Sequence, residues 1–172
     1  FSTALEQSVE KTEDLQTLQQ LDRALYGAES MLSALLDIAR LEGGTIQPKR
    51  QAYSLHDLLN DLELQFKSIA AQRNIQLSVH DTRFWVDTDP QWMRRIIQNF
   101  VSNALRYTAQ GRVVVGVLRS AQRPNHIRIG VWDTGPGINE QQRVKLFQEF
   151  ERCGHTSPWG EQGLGLGLAI VQ

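Results

Sequence analysis

The sequence predicts an α+β protein in which an antiparallel helical hairpin precedes an α/β sandwich. A heptad of apolar residues runs through the first part of the chain, where no glycine or proline precedes Gly27. Helix-like and strand-like apolar patterns then alternate, and eight of the 13 glycines lie between residues 130 and 167. Gly43, Gly44 and Pro48 separate the two patterns, because glycines end a helix and proline resists restarting it. We therefore expect one unit over residues 1–46 and a second domain over residues 47–172.

The composition excludes several classes of protein. With 41% hydrophobic and 22% charged residues, the chain resembles folded globular proteins and not disordered ones. No apolar run approaches the roughly 20 residues that span a bilayer, and we expect no signal peptide at the N-terminus. A net charge of -1 gives no reason to expect nucleic acid as a partner. The single cysteine, Cys153, excludes an internal disulfide and a metal site built from cysteines.

Apolar residues in the first unit repeat with alternating spacings of three and four. They are Leu18, Leu21, Leu25, Ala28, Leu32, Leu35 and Ala39. This heptad predicts a helix from about Asp14 to Glu42 with a single apolar stripe. Phe1, Leu5 and Val9 predict the end of an earlier helix, with a turn at residues 10–13. The stripe fits a core-facing helix of one globular domain, but we favour a dimeric bundle because two helices alone bury so long a stripe poorly.

The second part alternates predicted helices and strands. One helical face contains Leu55, Leu58, Leu59, Leu62, Phe66 and Ile69. Strands are predicted at residues 75–79, 84–86, 113–118 and 127–131, with a turn around Asp81. Between the second and third strands, Asp89 and Pro90 predict a helix start, and we expect this helix to bury Trp92, Ile96 and Phe100. Helices packed on one side of a mixed sheet are the simplest architecture for this order.

Three segments of the second part carry residues suited to chemistry, and the first is NFVSNALRYT at residues 99–108. On a helix, Asn99, Asn103 and Arg106 share a face, and we expect the apolar residues of the helix to point elsewhere. Two amide oxygens and a cation can hold a hydrated magnesium ion with the phosphates that accompany it. Taken alone, the segment fits a solvated polar face better than a metal site.

The second and third segments are rich in glycine. DTGPGIN at residues 133–139 follows a predicted strand, where Asp133 can accept a hydrogen bond from an exocyclic amine. Gly135 and Gly137 allow a flat ring to approach the backbone. GLGLGLAIV at residues 163–171 places glycine N–H groups before an apolar helix, where phosphate can bind. Taken alone, these segments also fit a tight turn and a flexible hinge.

Together the segments resemble the nucleotide-binding boxes of sensor histidine kinases of two-component signalling, which belong to the ATPase superfamily of gyrase, Hsp90 and MutL. NFVSNALRYT resembles the asparagine box, DTGPGI the first glycine box, LFQEF at residues 146–150 the phenylalanine box and GLGLGLAIV the second glycine box. Their order and spacing agree with the family, and SMLSALLDIARLEGGTI resembles the end of its second dimerisation helix. The resemblance implies a sandwich of the GHKL (Bergerat) type, with ATP and Mg²⁺ as cofactors.

The resemblance implies catalytic roles for three residues of the asparagine box. Asn103 would coordinate Mg²⁺ with support from Asn99, and Arg106 would contact phosphate where the family usually has lysine. Asn99 stands where members that hydrolyse ATP carry a glutamate, and an amide is a poor general base. Transfer of the γ-phosphate to a histidine, and from there to a response-regulator aspartate, is therefore favoured over hydrolysis.

The resemblance also implies a nucleotide-binding set. Tyr107 would pack against the nucleotide, and Asp133 would bind the adenine amine beside Gly135, Gly137 and Ile138. Phe147 and Phe150 would anchor a lid over about residues 151–162. The triphosphate would be enclosed by Gly163, Leu164, Gly165, Leu166 and Gly167.

One part of the family pattern is absent from the sequence. The acceptor motif H-[ED]-x-x-x-P does not occur, and the first histidine is His56. We therefore expect the acceptor histidine to lie outside this chain. We also expect the chain to be a fragment that ends early and that is inactive on its own. The resemblance implies a homodimer through the hairpin and a response regulator or receiver domain as partner. It further implies that the chain is the cytoplasmic portion of a bacterial inner-membrane receptor. The receptor would contact the membrane only through segments upstream of this chain.

Two other functions share these boxes. A serine kinase of the anti-sigma-factor type would lack the long heptad, so the first unit argues against it. A pseudokinase or regulatory dimerisation module would bind nucleotide without transferring phosphate, and the sequence leaves this alternative open.

Overall fold

The computed structural model describes residues 48–145 and 157–159, together with Thr17, Leu32, Leu36, Leu168 and Val171. The chain divides into two compact units, Phe1–Thr45 and Ile46–Gln172. In the first unit, Thr17, Leu32 and Leu36 are helical. The rest of the predicted hairpin, with its turn and its dimer interface, lies outside the described residues.

The described part of the second unit contains five strands and three helices. Their order is β1 (Gln51–Ser54), α1 (Leu55–Gln72), β2 (Ile75–Val79), β3 (Trp85–Thr88), α2 (Pro90–Tyr107), β4 (Gly111–Arg119), β5 (Ile127–Asp133) and α3 (Glu140–Lys145). One sheet has the order β2-β4-β5, with β2 parallel and β5 antiparallel to β4. The strands β1 and β3 form a separate antiparallel pair. The predicted α+β architecture with a mixed sheet is confirmed for this unit.

Helix α1 buries the face that the leucine spacing predicts. Its buried residues are Leu55, Leu58, Leu59, Leu62, Phe66 and Ala70, and Ile69 packs against them while partly exposed. The chain leaves the helix through Asn74, whose φ of 52° lies in the left-handed region that asparagine tolerates. Burial of this stripe supplies a large part of the core, and Val113 and Val115 of β4 are buried in the same core.

Helix α2 begins as predicted but buries a different face. Pro90 is its first residue, and Oδ1 of Asp89 accepts hydrogen bonds from the N–H groups of Gln91 at 2.9 Å and Trp92 at 3.3 Å. This N-cap satisfies two of the N–H groups that a helix start leaves unpaired. The buried residues are Ile97, Val101, Ala104 and Leu105.

The prediction that Trp92, Ile96 and Phe100 form the buried side of α2 was therefore wrong. Phe100 is 36% exposed, and the other two are half-buried. The helix carries two apolar stripes offset by one residue, about 100° around its axis. The stripe of Ile97 and Val101 packs into the core, so the neighbouring stripe remains at the surface.

The strands agree with the predictions apart from β1. Val113 and Val115 of β4 are buried, and β5 pairs with β4 from Asp133 opposite Val113 to Ile127 opposite Arg119. The sequence QAYS of β1 has no apolar alternation, which is why the pattern analysis missed it. It forms because β3 supplies a pairing partner. Within the described residues, no helix combines the length and hydropathy needed to cross a bilayer.

Candidate functional site

The predicted magnesium- and phosphate-binding residues lie on the C-terminal half of α2. Asn99, Asn103, Arg106 and Tyr107 are all half-buried and lie outside the core stripe of the helix. Residues seven apart in a helix lie almost one above the other, two turns along the axis. The helix therefore places Ile96 below Asn103 and Phe100 below Tyr107.

This register corrects the expectation that the apolar residues point away from the asparagines. Trp92, Ile96 and Phe100 lie on the same side of α2 as Asn99 and Asn103. The polar face is thus bordered by an apolar surface that is at least partly exposed.

Asp133 ends strand β5 and holds the start of the loop that follows. Its Oδ1 accepts a hydrogen bond from the backbone N–H of Gly135 at 2.8 Å. Its neighbour Thr134 fixes the loop to the start of β4, because the Thr134 hydroxyl accepts from the N–H of Arg112 at 3.0 Å and donates to the carbonyl of Gln110 at 3.2 Å. These bonds orient the carboxylate at the edge of the sheet.

Gly135 brings the two predicted motifs together. A Cβ atom at this position would lie 2.7 Å from Oδ1 of Asp133, and 3.4 Å from both Oγ1 of Thr108 and the carbonyl oxygen of Tyr107. The loop after β5 therefore packs against the C-terminal end of α2. The structure thus joins Asp133 and Gly135 to the helix that carries Asn103 and Arg106.

The rest of this loop is open to solvent and leads into α3. Gly137 has a φ of 73°, and a Cβ there would have no atom of the described residues within 4 Å. Ile138 is exposed. Asn139 then caps α3 reciprocally, because its side chain accepts from the N–H of Gln142 at 2.8 Å while its own N–H donates to the Gln142 side chain at 2.9 Å.

Thr108, which the sequence analysis did not single out, supplies an unsatisfied polar atom at this junction. Its side chain is fully buried, and its hydroxyl has no hydrogen-bond partner in the described part of the chain. A buried hydroxyl without a partner is costly, and native proteins usually satisfy it with protein, water or ligand. The hydroxyl lies beside Gly135, where an ordered water between the loop and α2 would satisfy it.

Ser157 and Trp159, which lie within the predicted lid but were not predicted individually as site residues, also meet this helix end. The Ser157 hydroxyl donates to the carbonyl of Arg106 at 3.1 Å, and Nε1 of Trp159 donates to the carbonyl of Thr108 at 3.3 Å. These contacts join residues 51 positions apart in the chain. Only the composition of SPWG, with a tryptophan in a polar stretch, could have drawn attention to them.

Other predicted site residues lie outside the described part of the chain. They are Phe147, Phe150, Gly163, Leu164, Gly165, Leu166 and Gly167. An open groove of about 500 Å³ lies between α1 and α2, lined in part by Asp57, Asp61, Arg94 and Gln98. It contains charges of both signs and lies beside the N-terminal half of α2, away from the junction at Thr108 and Gly135.

The donor atoms of the site fit a magnesium ion that is bound together with phosphate. Among the described residues, His, Cys, Asp and Glu side chains form no group of three or more that could hold a metal ion. Asn99 and Asn103 offer neutral amide oxygens, and magnesium bound through phosphates retains several waters and needs few protein ligands.

Comparison with known proteins identifies the domain to which this site belongs. Residues 88–172 match the family described as histidine kinase-, DNA gyrase B-, and HSP90-like ATPase. This stretch includes α2, the loop after β5 and both glycine-rich segments.

Individual relatives extend the similarity beyond this domain. The chain is 30% identical over 168 residues to the autoinducer 2 sensor kinase/phosphatase LuxQ of Vibrio vulnificus, covering 92% of this chain and 20% of LuxQ. It is 31% identical over 155 residues to the sensor protein kinase PmrB of Pseudomonas aeruginosa, covering 90% of this chain and 32% of PmrB. The chain belongs to the sensor histidine kinases. It carries an ATP-binding kinase core, and the resemblance seen in the sequence is confirmed. The chain spans at most about a third of the length of these relatives.

A solved histidine kinase has the same fold. The crystal structure of full-length ShkA in complex with AMPPNP matches with a TM-score of 0.70 and 26% identity, covering 83% of this chain and 29% of ShkA. AMPPNP is an ATP analogue, so the matching ShkA structure contains a bound nucleotide of the ATP class.

Proposed function

We propose that this histidine kinase domain binds Mg-ATP between α2 and the loop after β5. The γ-phosphate of this ATP is then transferred to a histidine side chain of a protein. One observation carries the proposal: Gly135 lies against Tyr107 and Thr108, so the two motifs form one junction. An adenine amine bound there would donate to the carboxylate of Asp133. Tyr107 would pack against the nucleotide, next to the loop of Gly137 and Ile138.

The phosphates would extend along the polar face of α2. Arg106 would contact them directly, and Asn103, supported by Asn99, would hold the magnesium ion through amide oxygens. The ion would offset phosphate charge during transfer. We further propose that Gly163–Gly167 supply backbone N–H groups to the triphosphate. Phe147 and Phe150 would anchor the predicted lid over about residues 151–162.

The residues around Asn99 favour transfer to a protein over hydrolysis. An imidazole nitrogen of the acceptor histidine would attack the γ-phosphorus, the bond to the β–γ bridging oxygen would break, and ADP would leave. Asn99 cannot act as a general base for water near neutral pH. The apolar surface of Trp92, Ile96 and Phe100 borders the asparagines, where a segment bearing the acceptor would approach.

The partners of the whole protein follow from the same proposal. The acceptor motif is absent from this sequence, so the chain alone would bind ATP without becoming phosphorylated. A longer chain with the motif would form a homodimer through the heptad of the first unit. It would then pass phosphate from histidine to an aspartate of a response regulator.

Calorimetry with ATP and MgCl₂ tests nucleotide binding by this chain. We expect binding that requires Mg²⁺ and that Asn103→Asp weakens at least about tenfold, equivalent to about 1.4 kcal/mol. Ser102→Ala, which changes a neighbouring polar residue of α2, serves as the matched control. If the folded chain shows no Mg-dependent binding of ATP, the proposed function is wrong.

Phosphotransfer requires a longer chain that contains an acceptor histidine. With labelled ATP, we expect acid-labile, base-stable phosphate on that chain. Phe100→Ser should reduce labelling while ATP affinity is retained, and Leu64→Ser, at a leucine of α1 that is 64% exposed, should change neither. ATP binding without any phosphohistidine would instead identify a pseudokinase.

A further inference from the structure

Residues distant in sequence cap the C-terminal end of α2. The last carbonyls of a helix have no partner within the helix. The carbonyl of Leu105 accepts a hydrogen bond from Nη1 of Arg73 at 3.1 Å, and the carbonyl of Thr108 accepts one from Nε1 of Trp159 at 3.3 Å. The guanidinium carbon of Arg73 lies 5.5 Å from the centroid of the Trp159 ring, within the range of a cation–π interaction. The two caps therefore support each other.

Ser157 joins these caps to the turn between them. Its hydroxyl donates to the carbonyl of Arg106 at 3.1 Å and accepts from the backbone N–H of Trp159 at 3.2 Å. The Trp159 ring also packs against the core, and the positive charge of Arg73 is favourable to the C-terminal end of the helix dipole. Arg73, Ser157 and Trp159 thus form one anchor, which fixes the last turn of α2 from outside the helix.

The anchored end of α2 is one wall of the proposed adenine pocket. Gly135 lies so close to it that a Cβ there would be 3.4 Å from both Oγ1 of Thr108 and the carbonyl oxygen of Tyr107. The N–H of Gly135 in turn donates to Oδ1 of Asp133 at 2.8 Å. Thr134 fixes the other side of this loop to β4, so the position of Thr108 decides where Gly135 and the carboxylate can lie.

The contact from Trp159 ends on Thr108, the residue that faces Gly135. We propose that Trp159, supported by Arg73, is a positioning residue for the purine. It holds Thr108 against Gly135 and thereby keeps the carboxylate of Asp133 where it accepts from the adenine amine. Selectivity for adenine over a purine that lacks this amine then depends on Trp159. This inference rests on the proposed function.

Trp159→Phe tests the proposal, because it keeps an aromatic ring for Arg73 and removes the indole N–H that binds Thr108. Calorimetry with Mg-ATP and with Mg-ITP isolates the purine, because ITP has the same triphosphate and a carbonyl oxygen in place of the adenine amine. We expect the Kd of ATP to rise about 3- to 10-fold, the range of one hydrogen bond, and that of ITP to rise less than about twofold. Trp85→Phe, at a tryptophan of β3 that is 71% exposed, should change neither value.

Arg73→Met gives a second measurement of the same anchor. If Arg73 and Trp159 act together, the double variant should lose less ATP affinity than the product of the two single losses.

Hydrogen exchange in nucleotide-free protein measures the coupling without a ligand. The amide of Gly135 should exchange faster in Trp159→Phe than in the unsubstituted protein, because its hydrogen bond to Asp133 loses the support of Thr108. Trp85→Phe should leave this rate unchanged.

The outcomes separate this inference from the proposed function. An equal rise in the Kd of ATP and of ITP in Trp159→Phe would show general loosening of the domain and overturn the inference, and unchanged binding of both nucleotides would overturn it too. If the unsubstituted chain binds no ATP, the proposed function is wrong and the purine role of Trp159 fails with it. The exchange rate of Gly135 then still shows whether Trp159 holds the loop after β5, and an unchanged rate would contradict that role.

Discussion

The backbone N–H of Gly135 donates a hydrogen bond to Oδ1 of Asp133 over 2.8 Å. This bond spans one residue of the loop and orients the carboxylate at the end of β5. The same glycine lies against Tyr107 and Thr108, so the carboxylate sits beside the end of α2. The short bond thus connects the sheet, the loop and the helix that form the proposed adenine pocket.

Asp133→Asn should reduce affinity for ATP by at least about tenfold, or about 1.4 kcal/mol. The Asn side chain can still accept from Gly135 through its oxygen, but its amide nitrogen donates where the adenine amine needs an acceptor. The same amide could donate to O6 of guanine, so the ratio of ATP to GTP affinity should fall. Calorimetry with both nucleotides measures this ratio.

Asp87→Asn controls for the loss of a carboxylate, because Asp87 lies on the surface in an ion pair with Arg50. It should leave both nucleotide affinities unchanged. Undiminished ATP binding by Asp133→Asn would contradict the assignment of Asp133 to the adenine amine.

Thr108→Val should separate stability from binding. The buried hydroxyl has no hydrogen-bond partner in the described part of the chain, so its removal should leave the free energy of unfolding unchanged or raise it by up to about 1 kcal/mol. ATP affinity should fall about 3- to 10-fold if the hydroxyl reaches the nucleotide through an ordered water. Denaturant unfolding and calorimetry measure the two effects.

Thr108→Ser keeps the hydroxyl and should retain ATP affinity. If Thr108→Val were strongly destabilised, the hydroxyl would have a partner within the protein, and the interpretation of Thr108 as part of the site would be wrong.

Gly130→Ala should destabilise the domain through Trp132. On the outer face of the sheet the Trp132 ring covers Gly130, and a Cβ there would lie 2.6 Å from its Cζ2 atom. Because the Trp132 ring is 48% exposed, displacing it should lower the free energy of unfolding by about 1 kcal/mol, the low end of the cost of overpacking a core. Trp132→Ala should suppress most of this loss, and a double-mutant cycle by urea unfolding measures the coupling. Additive effects of the two substitutions on the free energy of unfolding would show that the Trp132 ring and a side chain at position 130 are not coupled, which would contradict the prediction.

Asp89 should make the domain sensitive to acid. Burial acts to raise the pKa of Asp89, but hydrogen bonds from the N–H groups of Lys49, Trp92 and Gln91 together hold it below its usual value. A depressed pKa in the folded state means that the carboxylate stabilises the fold above the unfolded pKa of about 3.9, and that this contribution is lost as the pH falls through the folded pKa.

Asp89→Asn should therefore lower Tm at pH 7 by about 3 °C or more, and this difference from the unsubstituted protein should narrow below about pH 4. Thermal unfolding followed by circular dichroism from pH 7 to pH 2.5 measures it. Asp87→Asn at pH 7 controls for the change in net charge. A difference that stays constant or widens in acid would contradict the role of the charged N-cap.

The sequence by itself determined the features that depend on local chemistry. Three features could be recognised within a few turns or residues of chain: the leucine spacing of α1, the Asp89–Pro90 helix start and the valines of β4. Each depends only on residues within or next to one helix or strand. The nucleotide-binding motifs were visible for a similar reason, since each box is a short continuous segment whose order and spacing mark the family.

Only the tertiary structure decided features that depend on which surfaces meet. Helix α2 has two apolar stripes, and packing against the sheet selected Ile97 and Val101 over Ile96 and Phe100. Strand β1 exists because β3 pairs with it, and Trp159 meets Thr108 across 51 residues of sequence. A periodic pattern gives the shape of one element, but the free energy of burial and of long-range hydrogen bonds depends on the partner that the whole fold supplies.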